Sequence, residues 1–216
     1  MRKNQWEILP SMFVPSHYAA ANPRSIIRDH PFAAVVTTDE KGMHATATPV
    51  FFETMGAEEM DLVGHIARRN PQADGFHPDQ NALLIFSGPN AYISGAWYRQ
   101  KPQVPTWNYI AAQVQGTLTP LDDSAESLAV LQLTAERLSS RRGDAWHLED
   151  APQGRVEALL PHIRSFRVKA RAIEGVEKLS QTHPQEDRLR VIANLAQRGE
   201  SGDLAIARLM AEREAG

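Results

Sequence analysis

One short segment, Gly64-His65-Ile66-Ala67-Arg68-Arg69-Asn70-Pro71, sets an imidazole, two guanidiniums and a helix-opening Asn-Pro pair at the end of an apolar run. Arginine offers a rigid fork of donors and a helix start adds free N–H groups, so Arg68, Arg69 and Asn70 form a candidate phosphate clamp. An ordinary solvated strand end would account for the same residues. His65 shares a strand face with Val63 and Ala67, where a lone imidazole is either a satisfied structural group or a ligand.

A second concentration runs from Phe86 to Tyr109 and holds two of the four Trp and three of the four Tyr in a chain that is only 7% aromatic. Tyr92, Trp97, Tyr98, Trp107 and Tyr109 could wall a flat ring system, with Thr106 and Asn108 as polar handles. A surface loop pinned to the core by its own rings is the plain alternative. The third feature is Glu174-Gly175-Val176-Glu177-Lys178-Leu179-Ser180-Gln181, in which Lys178, Ser180 and Gln181 follow a glycine expected to turn the chain. A helix start would explain them equally well, and a cofactor contact requires other segments to converge there.

These residues need elements to hold them. Asn22-Pro23 opens a short helix that Pro31 stops near Asp29. Ala33–Thr38 reads as a strand, Asp39-Glu40-Lys41-Gly42 as a turn, and His44–Phe52 as the returning strand of a hairpin. Strands follow at Met60–Ile66 and Leu83–Phe86, then one in which Ile110, Ala112, Val114, Gly116 and Leu118 share a face opposite Tyr109, Ala111, Gln113, Gln115 and Thr117. A helix spans about Asp123 to Arg142, another follows Pro152, and Phe166–Ala172 alternates as a strand with Arg167, Lys169 and Arg171 on one side. The tail is helical: Leu189, Ile192, Ala193 and Ala196 are expected on one apolar face, and Asp203 caps a last helix to about Glu214. About six strands joined in sequence, with helices between and after, predict an α+β fold with a closed or partly closed antiparallel barrel.

The 216 residues suffice for one ample domain, and a net charge of −3 provides no overall field for nucleic acid. The Arg167, Lys169 and Arg171 row is the best local candidate for DNA, though a solvated strand carries such charges routinely. There is no cysteine, which excludes disulfides, thiolate metal sites and cysteine nucleophiles. The common dinucleotide, Walker, zinc-protease and serine-hydrolase signatures are missing. Residues 1–11 are expected to be a flexible extension without the apolar core of a signal peptide. With no membrane-spanning run, the chain reads as cytoplasmic.

Val14-Pro15-Ser16-His17-Tyr18, the Gly64–Pro71 segment, Gly88-Pro89-Asn90-Ala91-Tyr92-Ile93-Ser94 with Trp97-Tyr98, Val104-Pro105-Thr106-Trp107-Asn108-Tyr109 and Lys178-Leu179-Ser180-Gln181 together resemble the PaiB-type family of FMN-binding split-barrel proteins, whose members are often labelled negative transcriptional regulators. The resemblance implies a split β-barrel over residues 12–181, related to pyridoxamine-phosphate oxidases, followed by a helical segment over 182–216. It implies a homodimer with FMN at the subunit interface, Arg68 and Arg69 at the flavin phosphate, and the Thr106-Trp107-Asn108 and Lys178–Gln181 motifs lining the pocket. The chain also resembles a branch of that family, the piperazate synthases, which form an N–N bond in a hydroxylated ornithine on a b-type haem. For that branch His65 is the candidate axial ligand, and Glu177 or His17 the candidate acid or base by residue type. The chain departs from the flavin-type pattern at Ala47-Thr48-Pro49-Val50, at Gln113-Val114-Gln115-Gly116 and at Glu177. Each departure removes an imidazole or a ring, which implies an altered pocket. A ligand-responsive regulator is the third reading.

Overall fold

Six strands close on one another in the computed structural model, which describes residues 12–54, 56, 60–99, 103–143 and 146–215. They are β1 (Phe32–Asp39), β2 (Gly42–Phe52), β3 (Asp61–Ala67), β4 (Gln80–Ile93), β5 (Thr106–Leu121) and β6 (Ile163–Lys178). Around the barrel the order is β1-β2-β3-β6-β5-β4, with β1 paired to β4 and the fold α+β as expected. Among the described residues six α-helices accompany them: α1 (Pro23–Asp29), α2 (Pro71–Asp74), α3 (Ser124–Arg142), α4 (Arg155–Leu159), α5 (Gln185–Arg198) and α6 (Asp203–Ala215). The expected extension over residues 1–11 lies outside the described residues.

The chain divides into two compact units. The first holds His30–Phe86 and Gln113–Ile173, and the second holds Met12–Asp29, Ser87–Ala112 and the chain from Glu174 on. In the first unit, β1 and β2 form the hairpin anticipated from the Asp39–Gly42 turn, with Val35 facing Thr46 and Thr37 facing His44. Alternation drives Val35, Val50, Leu62, Leu84, Val114, Leu118, Phe166 and Val168 into the barrel interior, where all are fully buried. Gly116 permits a tight approach to β6, because a Cβ there would collide with the Lys169 carbonyl oxygen and reach 2.8 Å from Val168 Cγ1. On the outer face of β3, Val63 packs with Leu121 and with Val130 and Leu133 of α3, a helix that Asp123 caps through the N–H groups of Ala125 and Glu126.

In the second unit, α5 and α6 form a hairpin that buries Val191, Leu195, Ile206 and Met210. Arg188 pairs with Glu214, and Arg198 grips Asp203 through two 2.7 Å bonds. The buried face of α5 differs from the expected one. It runs Asp187, Val191, Leu195, while Leu189 is 51% exposed and Ala193 and Ala196 face solvent. Polarity misled the reading at one position, because Asp187 is drawn inward by the Arg99 backbone N–H at 2.7 Å.

Two further expectations are corrected. The segment from Phe86 is not a loop at its start, since β4 continues through Gly88-Pro89-Asn90 to Ile93, and β5 begins at Thr106. Nor does Gly175 turn the chain: β6 runs through it to Lys178, and the backbone turns at Ser180, whose φ is +61°. Gly175 lies in the strand because a side chain there would meet Pro23 and Ala20.

Candidate functional site

Each unit presents its own set of candidate side chains. In the first, β3 ends at Ala67 and delivers Arg68 and Arg69 into solvent, their backbone fixed by the Arg68 N–H donated to His162 O at 2.8 Å. Among the described residues no hydrogen bond or ion pair engages either guanidinium. Arg164 and Arg167 of β6 are committed elsewhere, to Asp122 and the Ala73 carbonyl, and to Glu53. Asn70 stands apart from the clamp, because it is spent on the fold. Its Oδ1 accepts from Gln72 N at 3.0 Å as the cap of α2, and its amide donates to Thr46 Oγ1 at 2.7 Å. Gln72, absent from the sequence-based site, is buried and donates to Val35 O and Thr37 Oγ1, so it ties α2 to β1.

His65 projects from the outer face of β3. Burial pushes its imidazole below the ordinary value near 6.5, which keeps it neutral at pH 7. Nδ1 is sealed from solvent without a partner, and among the described residues Nε2 makes no hydrogen bond either. A neutral imidazole with an uncommitted lone pair is what an axial iron ligand requires. Among the described residues no group of three or more His, Asp or Glu could hold a free metal ion, a condition that a porphyrin with one protein ligand does not need.

The second unit gathers the aromatic and Lys178–Gln181 motifs. A groove of about 290 Å³ runs along β4 and β5, lined by Ser87, Gly88, Asn90, Trp107, Tyr109, Ile110 and Ala111. Trp107 stands at its edge, 53% exposed, with Tyr92 edge-on at 6.1 Å. The remaining rings serve the fold. Trp97 is covered on one face by the Arg198 guanidinium at 4.9 Å, and Tyr98 is buried and stacked on His183 at 4.5 Å. Burial raises the Tyr98 phenol above its usual value. Ser180 works against that shift, yet its hydroxyl is engaged with the Asn108 amide, so the Tyr98 oxygen keeps no bonded partner.

Lys178 donates to Thr106 Oγ1 at 2.6 Å and lies 6.0 Å from the Tyr18 ring. Gln181 turns inward, donating to the carbonyls of Glu177 and His17 and accepting from Leu179 N, so it pins the His17 turn to the end of β6. Glu177 lies 3.8 Å from Arg213, and His17 is exposed with its ring against Tyr18. Neither forms a donor–acceptor relay with the other among the described residues. The structure therefore groups Trp107, Tyr92, Thr106 and Lys178 as accessible chemistry and assigns Asn108, Ser180, Gln181, Trp97 and Tyr98 to internal support. Ser87, Gly88 and Asn90 were missed as lining because their turn chemistry reads as loop.

One residue of the basic row of β6, Arg167, is neutralised by ion pairing. Arg167 makes a two-pronged pair with Glu53 at 2.7 and 2.8 Å, which raises its already high value, and Arg171 donates to Asn81. Among the described residues no helix is long and apolar enough to cross a membrane.

Residues 12–172 match a family described as "Putative FMN-binding domain". The protease synthase and sporulation protein PAI 2 of Bacillus subtilis strain 168 is 30% identical over 94% of this chain and 98% of its own length. Among solved structures, the flavocytochrome Anf3 of Azotobacter vinelandii superposes with a TM-score of 0.54 at 13% identity, covering 82% of this chain and 78% of that one. The FAD and haem binding protein of Mycobacterium smegmatis gives 0.53 at 13% identity, covering 83% and 78%. At such identity the two structures establish the fold.

Proposed function

The chain belongs to the PaiB-type FMN-binding family, and from that premise we propose that this cofactor-binding split-barrel protein holds FMN at an interface between two copies of itself and works as a redox protein. The observation that carries the reading is the pair of uncommitted guanidiniums at Arg68 and Arg69 on a backbone fixed by β3 and α2. A phosphate dianion is the ligand such a pair recognises best, through two-pronged charged hydrogen bonds. The Trp107 groove of the second unit is a separate candidate surface for a planar ring, and FMN when bound would supply hydride or single-electron transfer.

Support for a second copy comes from the outer face of β1, β2 and β4. By register Ala34, Val36, Ala45, Ala47, Leu83 and Ile85 share that face with Phe32 and Met43, which are 63% and 76% exposed. An apolar face of this kind favours a protein partner over water. Its test is the mass in solution by light scattering, where a monomer would overturn the dimer.

The cofactor test uses two flavins. FMN and riboflavin are titrated into the wild type and into Arg68→Ala/Arg69→Ala. Loss of each charged contact is expected to weaken FMN by about 10-fold or more, while riboflavin, without a phosphate, binds both proteins alike. Equal FMN binding by both proteins would sink the clamp.

His65 favours a second reading, a b-type haem enzyme that forms an N–N bond in a small N-hydroxylated amine. Its neutral imidazole with free nitrogens fits an iron ligand. A Soret band in the purified protein that disappears in His65→Ala would replace the flavin reading. A flavin doublet released on denaturation would remove the haem one.

A further inference from the structure

His65 and Ser165 face each other across β3 and β6. The hydrogen-bond parity of that pair of strands follows from its two ends. Arg68 N–H donates to His162 O, and Ala170 N–H donates to Met60 O, so the even-numbered residues of β3 exchange backbone bonds with β6. His65 and Ser165 therefore form a narrow, non-hydrogen-bonded pair, in which Cα atoms stand about 4.5 Å apart and side chains on one face are closest. Both polar atoms on that face are orphans: Nδ1 of His65 and Oγ of Ser165 are sealed from solvent with no partner. Ser165 is fully buried. The other nearby hydroxyl, on Thr48, is already donated to the His65 carbonyl at 2.6 Å.

Two buried orphans side by side carry a desolvation cost that native proteins remove with a shared partner. A single water can serve both groups, since it donates and accepts. We propose that Ser165 is a positioning residue for His65: one buried water bridges Nδ1 and Ser165 Oγ, and it accepts the Nδ1 proton. A proton on Nε2 would leave that N–H without an acceptor among the described residues, whereas a proton on Nδ1 leaves only a lone pair unused. The Nε2 lone pair is thereby kept free on the accessible side of the ring, as an electron-pair donor to an iron centre or as the acceptor of a ligand proton. The tautomer of a histidine is set by the hydrogen bond its other nitrogen makes. The inference concerns the protein before any cofactor binds, so it stands or falls apart from both readings of the cofactor.

The test is long-range proton–nitrogen correlation NMR of the imidazoles in the cofactor-free protein at pH 8.5, where neutral rings are observed, with His65→Gln to assign the signal. The wild type is expected to show a protonated, pyrrole-type Nδ1 and a bare, pyridine-type Nε2. In Ser165→Ala the two signals should move toward each other or exchange character, and Ser165→Cys, a weaker hydrogen-bonding group of similar size, should fall between. A wild-type ring protonated on Nε2 would overturn the proposal without any variant. So would a Ser165→Ala spectrum identical to the wild type's at His65.

Discussion

Asn108 and Ser180, far apart in sequence, exchange hydrogen bonds in the interior of the second unit: the amide donates to the hydroxyl at 2.9 Å and the hydroxyl donates to Oδ1 at 3.2 Å. The amide also lies 3.4 Å from Met210 Sδ. The pair thus couples β5, the end of β6 and α6. Ser180 makes it from a left-handed backbone, which costs a non-glycine residue about 1 kcal/mol. Ser180→Ala keeps that strain and leaves the buried amide unsatisfied, for an expected loss of about 1–3 kcal/mol. Ser180→Gly relieves the strain and should lose about 1 kcal/mol less. Urea unfolding of the two variants checks the order, and an alanine variant as stable as glycine would show that the backbone strain is absent.

Gly116 tests the closest approach in the barrel. Gly116→Ala drives a methyl into the Lys169 carbonyl and Val168, where neither backbone nor packed core can yield cheaply. The expected loss is about 1–3 kcal/mol. A thermal melt decides it, and an unchanged midpoint would mean that β5 and β6 separate locally at no cost.

Asp203 predicts a pH dependence. Its carboxylate is buried and bonded to Arg198 and to the Glu200 N–H, and the Arg198 bond chiefly holds it below its ordinary value near 3.8. A depressed native value means that the unfolded chain binds the proton more readily. The stabilisation is therefore complete above about pH 4 and is lost as pH falls below that ordinary value toward the native one. Asp203→Asn should be less stable than the wild type at pH 7 by about 2 kcal/mol, with a smaller gap at about pH 3, below the ordinary carboxylate value. Parallel unfolding curves at both pH values would contradict the assignment.

Trp107 separates binding from folding. Its ring is half in solvent, so Trp107→Ala should change stability by no more than about 0.5 kcal/mol. Stacking of a planar ring on Trp107 contributes about 1 kcal/mol, so affinity for lumichrome, a flavin ring without a phosphate, should fall several-fold in a fluorescence titration. Unaltered affinity would place the flavin ring outside the groove.

Local chemistry carried much of the fold into the sequence. The Asn22-Pro23 start, the Asp39–Gly42 turn, the Asp123 cap and the two faces of β5 each rest on neighbours within a few residues. The misread places share a different physics. Gly88-Pro89-Asn90 and Gly175 look like turns, yet a strand passes through both, and at Gly175 the close approach of Pro23 and Ala20 leaves no room for a side chain. Asp187 is buried because a backbone N–H from Arg99 waits for it, which no helical period reveals. For the site, the guanidiniums and His65 were legible from type and position. The separation of Trp107 from Tyr98 into accessible and internal rings was not, since both are aromatic residues in one stretch. Ser165 becomes visible only through the register of β3 against β6.

The second unit has a consequence for synthesis. Its residues Met12–Asp29 are among the earliest to leave the ribosome, yet their partners come late: Ala20 N–H bonds to Gly175 O, Ala19 bridges Val176, and the His17 carbonyl takes the Gln181 amide. The Met12–Asp29 segment cannot close onto these partners until the chain beyond Glu174 has emerged. The first unit, complete by Ile173, can form while the ribosome is still working. A chain clipped just after Ile173 would therefore retain the strands around His65, Arg68 and Arg69 while leaving the Met12–Asp29 segment without its partners.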